Sequence, residues 1–228
     1  MEALDKIILF IHIAIGSISL LIFWIPVFTK KGGKLHNKAG MLYVYTMWIV
    51  VITAVFLSII NLIQNDYITA AFLGFLTLLT GHPLWYAVAI LKHKKQIPVR
   101  LLKIRRVILG LLVSSAAGLV IWSILLKVQG ASILLLIFGI IGLTQLPLFL
   151  KSIKKSQADG NWIAAHINGM VTSGIAAYTA FFAFGGSTFF GEIFTGPMIA
   201  IPWTLPSVIG TIFISREIRK RGFTAKSI

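Results

Sequence analysis

Residues 68–91 read ITAAFLGFLTLLTGHPLWYAVAIL, and no charged side chain falls between Asp66 and Lys92. At a rise of about 1.5 Å per residue, a helical run of this length crosses the roughly 30 Å of hydrocarbon in a bilayer. Six more apolar runs flank it, at residues 7–28, 41–63, 107–126, 133–150, 162–184 and 198–215. The 228-residue chain is 57% hydrophobic and 12% charged, with a mean hydropathy of +0.93, a composition foreign to soluble domains. Backbone N–H and C=O groups in lipid must pair within their own segment, and the alternating polarity of a membrane barrel is absent. The sequence therefore predicts an all-α integral membrane protein of seven transmembrane helices.

Charge orients those helices. With the N-terminus outside, 19 of the 21 Lys and Arg residues fall inside, in residues 30–38, 92–106, 151–155 and the tail after 215. Only Lys6 and Lys127 stay outside, together with the acids Glu2, Asp5, Asp66 and Glu192. This asymmetry predicts an N-out, C-in topology in a bacterial cytoplasmic membrane, with the basic loops meeting anionic lipid headgroups. Nucleic acid is not an expected partner of the +15 net charge, because no basic stretch is interleaved with aromatic residues. No basic segment precedes the first apolar run and no small-residue cleavage site follows it, so the run reads as a retained helix. The absence of cysteine excludes disulfides, thiolate nucleophiles and iron–sulfur clusters.

Short connections predict a single bundle over residues 1–228. The longest are residues 92–106, expected to be partly an amphipathic interfacial segment, and the aromatic, Gly-rich residues 185–197, expected to dip into the outer interface or cap the bundle. Leu79-Thr80-Gly81-His82-Pro83-Leu84 and Leu143-Thr144-Gln145-Leu146-Pro147-Leu148 share the pattern Leu-Thr-x-x-Pro-Leu, 64 residues apart. Each inward-running helix carries proline, at Pro26, Pro83, Pro147 and the pair Pro202 and Pro206, whereas the outward-running helices have none. A helix-pair repeat of parallel sense accounts for the pattern, and each proline permits a kink that opens space inside the bundle.

Histidine supplies the chemistry. An unpaired imidazole in an apolar medium costs a few kcal/mol, so His82 must be satisfied or used. Counting along the helices places His82 and His166 in the same half of the membrane, with His36 at its mouth and His12 toward the opposite leaflet. Gly169, Met170, Ser173 and Ala176 surround His166 at helical spacing, a small-residue face of the kind that packs against protein. Thr80, Tyr86, Asn168 and Thr172 add polar partners. Haem would take His82 and His166 as axial ligands, with Met170 as a substitute, and a transition metal such as zinc would take His36, His82 and His166. The predicted spans hold no Asp or Glu, which disfavours a zinc hydrolase and a carboxylate proton relay, and no lysine in the last helix could hold retinal. The leading expectation is a histidine-ligated haem or metal serving membrane redox chemistry, with a quinone or other membrane subunits as partners. The alternatives are a small-molecule or ion transporter, a structural or accessory subunit, and a lipid-active enzyme.

Several segments resemble one family. They are His12 with Gly16, Lys31-Gly32-Gly33-Lys34-Leu35-His36-Asn37-Lys38 followed by Tyr43, Trp162 with His166 and Met170, and Trp203-Thr204-Leu205-Pro206. On these residues the chain resembles a bacterial membrane family known as domain of unknown function twenty-three-oh-six. The resemblance implies the membrane topology and no established activity, and it places His12, His36 and His166 in the family pattern.

Because the chain has no native cysteine, single cysteines report its topology directly. Cysteine at Lys94 should react with a membrane-impermeant maleimide only after the cells are opened, and cysteine at Val128 in intact cells. The reverse pattern would invert the topology.

Overall fold

The computed structural model describes residues 2–127, 132–154, 161–185, 198 and 200–223. The cap expected from residues 186–197, and the acids Asp159 and Glu192, lie outside the described residues. Among the described residues the fold is entirely helical. The helices are α1 (Glu2–Phe28), α2 (Lys34–Ile63), α3 (Tyr67–Ala89), α4 (Val99–Leu125), α5 (Ser132–Leu143), α6 (Leu146–Lys154), α7 (Trp162–Phe184) and α8 (Ala200–Arg219), with a short 3-10 turn at Ile90–Lys92 after α3. Five segments, Ala3–Phe28, Lys34–Ile63, Tyr67–Lys92, Val99–Leu125 and Ser132–Ile153, are long and apolar enough to cross a membrane. The chain is a multi-pass membrane protein.

Two expectations about these elements are corrected. The connection at residues 92–106, expected to be partly an amphipathic interfacial segment, is shorter than that: α4 begins at Val99 after Pro98, so Arg100, Lys103, Arg105 and Arg106 belong to a long helix. Proline cannot donate a backbone hydrogen bond, which makes Pro98 a natural N-cap, and long basic side chains can reach polar surroundings from a helix end. The apolar run at 133–150 is not one helix either, because the chain turns at Thr144 and Gln145 between α5 and α6. Pro147 falls in the first turn of α6, where a missing N–H leaves no helical bond unmade.

The chain divides into two compact units, residues 1–77 and 78–228. In the first, α1 packs along α2. Tyr43 is completely buried with its ring 5.5 Å from that of Phe23, and Ser58 Oγ donates to the Ala70 carbonyl at 2.7 Å. Gly32, at φ +75°, turns the chain between α1 and α2 in a conformation that side chains resist. Two side chains from the turn into α2 and its first residues close the end of α1: Lys31 Nζ donates to the Pro26 and Val27 carbonyls, and His36 Nδ1 donates to the Pro26 carbonyl at 3.0 Å. These carbonyls belong to the last turn, which has no helical donors of its own.

In the second unit, close helix contacts depend on glycine. A Cβ on Gly169 of α7 would lie 2.6 Å from the Pro83 carbonyl oxygen and 2.7 Å from the Ala87 Cβ of α3. On Gly139 of α5 it would lie 2.9 Å from the Ala116 carbonyl oxygen of α4. These are the backbone approaches that membrane helices use where lipid offers no hydrophobic drive to associate. Asn161 caps α7, its Oδ1 accepting from the Ile163 amide at 2.8 Å. Ala164 and Val171 of α7 pack against Ile214 and Ile218 of α8. Arg106 ties α4 to α6 by donating twice to the Ser152 carbonyl, at 3.1 and 2.6 Å. Beyond residue 215, Glu217 accepts from Arg221 at 2.7 Å and Lys220 at 3.1 Å, and the Arg221 hydrogen bond holds its carboxyl below the usual carboxylate range.

Gly169→Ala should destabilise the detergent-solubilised chain by about 1–3 kcal/mol, because the new methyl meets backbone that cannot swing aside. Gly118 has nothing within 4 Å of the same position, so Gly118→Ala should be neutral or slightly stabilising. Equal melting temperatures for the two variants would refute this account of the α3–α7 contact.

Candidate functional site

A cavity of about 20 Å³ opens in the second unit, with polar walls formed by His82, Tyr86, Arg105, Gln145, Asn168 and Thr172. One water needs roughly 10–15 Å³ in this measure, so the space suits one or two small molecules of that size. His82 and Tyr86 come from α3, one turn apart. Arg105 comes from α4, Gln145 from the turn between α5 and α6, and Asn168 and Thr172 from consecutive turns of α7. The close approach at Gly169, itself in the wall, brings α7 near enough for its polar side chains to reach the space.

Helical register places Arg105 here. The buried residues of α4 are Leu109, Leu112, Ala116, Leu119 and Ser123, a stripe alternating steps of three and four. Arg105 stands one step of four before Leu109 and continues that stripe, while Lys103 is exposed. Its guanidinium carbon lies 3.9 Å from the centroid of the Tyr86 ring, in cation–π geometry. Its Nε is buried without a hydrogen-bond partner, and the cavity wall contains no Asp or Glu.

His82 is 6% exposed, and its Nε2 is likewise buried without a partner. Its ring lies nearly parallel to that of Tyr86, 13° apart at a centroid distance of 6.4 Å. Both residues belong to the cavity wall, and each keeps one nitrogen buried without a hydrogen-bond partner. Leaving such groups dry and unpaired costs several kcal/mol, which a ligand of the right charge would recover.

The other histidines join helices. His166 Nδ1 donates to the Ala87 carbonyl of α3 at 2.9 Å. Neither His166 nor Met170 lines the cavity that holds His82. His12 Nδ1 pairs with Thr53 Oγ1 at 2.8 Å. The Thr53 hydroxyl itself faces the Ile49 and Val50 carbonyls, so it accepts and His12 donates. His36, as described, holds the end of α1. Among the described residues, no three His, Asp or Glu side chains gather as a metal cage.

Of the wall residues, sequence reasoning picked out His82, Tyr86, Asn168 and Thr172. It missed Arg105, counted only among the topological charges, and Gln145, seen only as a variable position in the Leu-Thr-x-x-Pro-Leu pattern. The first was findable by extending the α4 apolar stripe toward its N-terminus. Both copies of that pattern reach the cavity, the first through Leu79, His82 and Pro83 and the second through Gln145 and Leu148.

No family model, curated protein or solved structure matches the chain.

The Arg105–Tyr86 stack should behave as a coupled pair. In a double-mutant cycle with Tyr86→Leu and Arg105→Gln, thermal unfolding should give a coupling of about 1–2 kcal/mol. Additive effects would mean that the ring and the guanidinium do not support one another.

Proposed function

We propose that this protein binds a small anionic solute in the Arg105 cavity and carries it across the membrane. The observation that carries the reading is a guanidinium in the buried register of α4, set against an aromatic face with no carboxylate in the surrounding wall. Charged groups at membrane depth are costly and commonly mark solute pathways. Transporters often place such sites where repeated elements meet and where a membrane helix is interrupted. Both features support the reading here: two copies of Leu-Thr-x-x-Pro-Leu meet at the cavity, and the α5–α6 turn forms part of its wall.

In this reading seven helices span a bacterial cytoplasmic membrane, N-terminus out and C-terminus in. The two additional spans run through α7 and α8. The cavity then lies toward the cytoplasmic leaflet, because Arg105 is near the inner end of α4. The basic segments around it face anionic headgroups, and their field draws anions toward the site.

A haem or metal held by His82 and His166 fits the cavity less well. The space is far too small for a macrocycle, and the guanidinium beside His82 repels a metal cation. The histidine-ligated reading keeps one supporting feature, that His166 donates its Nδ1 proton to a carbonyl as metal-binding histidines do. Oxidised and reduced visible spectra of the purified protein test it, and a Soret band abolished by His82→Ala would restore it.

For the anion reading, purified protein in a gluconate buffer should gain thermal stability on titration with anions, and vesicles containing it should take up the anion that stabilises it. Arg105→Gln should lose both responses, and Arg105→Lys should keep a weakened form of each. If no anion stabilised the wild-type chain, the reading would fail.

A further inference from the structure

The interruption between α5 and α6 adds an independent set of donors to this cavity. Gln145 and Leu148, which flank the start of α6, line the wall. The first turn of a helix has amides with no intrahelical acceptor, and its end of the helix dipole is positive. In α6, Pro147 has no N–H, and the Phe149 amide is taken by the Gln145 carbonyl at 3.0 Å. That leaves the Leu146 and Leu148 amides as the donors of this end. The Gln145 carboxamide makes only a long contact, 3.4 Å, to the hydroxyl of neighbouring Thr144. Arg105 and His82 belong to the same wall.

We infer that the α6 N-terminus and Gln145 form the second half of the anion site, and that its ligand is a small monovalent anion of halide size. This rests on the anion reading above and narrows it. Three observations point to that ligand class. The cavity of about 20 Å³ suits a ligand about the size of one or two waters. The wall offers a single full positive charge, so a dianion would leave one charge uncompensated in a low-dielectric site. The remaining polar groups, Gln145, Asn168, Thr172 and the α6 amides, are neutral donors, which can replace the hydration of a weakly hydrated ion. Discontinuous membrane helices that present a half-helix N-terminus to an anion are a known physical solution to this problem.

The test uses the full chain in detergent, exchanged into sodium gluconate and titrated with chloride, bromide, nitrate, sulfate and phosphate. Melting temperature and the fluorescence of the tryptophans are both followed, since Trp85 lies 6.2 Å from the Tyr86 ring. Chloride and bromide should bind saturably, and nitrate no more tightly than bromide, while sulfate and phosphate should not compete. Gln145→Leu should raise the half-saturating halide concentration about tenfold. Gln145→Glu, which puts a negative charge in the same wall as Arg105 without changing size, should abolish halide binding and raise the unliganded melting temperature. Arg105-dependent binding of phosphate, sulfate or added phosphatidylglycerol in preference to halide would overturn this inference and leave the anion reading intact. Halide binding that depends on Arg105 but ignores both Gln145 substitutions would overturn the role given to α6. Absence of any anion response would remove both.

Discussion

The guanidinium of Arg105 lies on the ring of Tyr86 in a part of the chain built from apolar helices, and side chains from three other helical segments share its cavity. A fixed positive charge in such surroundings must be offset by nearby polarity, and an aromatic face offsets it only in part. Polar groups reach the same cavity from elements whose own irregularities bring them inward. Gly169 lets α7 touch the backbone of α3, which carries Asn168 and Thr172 to the cavity. The turn between α5 and α6 brings Gln145 to the same space. Arg106, the next residue, faces another way and fastens α4 to α6 through the Ser152 carbonyl, so that adjacent arginines perform separate tasks on different faces of one helix.

Histidine shows a similar division. His12, His36 and His166 each give the Nδ1 proton to a partner on another helix: a threonine hydroxyl, a carbonyl at a helix end and a carbonyl beside a helix crossing. These bonds compensate the burial of a polar ring and join helices that also pack closely against one another. His82 differs. It stands beside a cation, and its Nε2 meets no acceptor or donor among the described residues.

The multi-pass membrane character and the all-helical fold were legible in sequence because they depend on composition over twenty or more residues. The break at Thr144 and Gln145 was harder to see. The residues around it are as apolar as a continuous span, and Pro147 reads equally well as a kink or as the first turn of a new helix. Packing decides between these outcomes. The basic segment before α4 misled for a related reason: lysines and arginines suggest a loop, yet their long stems are compatible with a helical start at Val99. The site was half legible. Residues unusual in an apolar run, such as His82 and Asn168, stood out, whereas Arg105 was hidden among the 21 Lys and Arg residues of the chain, most of which read as topological. Only its register with Leu109 and Leu112 distinguishes it.

The closure of α1 by Lys31 and His36 has a consequence for biosynthesis. Both side chains that seal this helical hairpin belong to the turn and the first residues of α2. The carbonyls at the end of α1 therefore need no later helix to satisfy them, and the pair can settle in the membrane as soon as α2 leaves the ribosome. Assembly then becomes sequential by construction. The hairpin is closed by residues near one another in sequence, whereas the polar-lined cavity draws its wall from residues spread over 79–172.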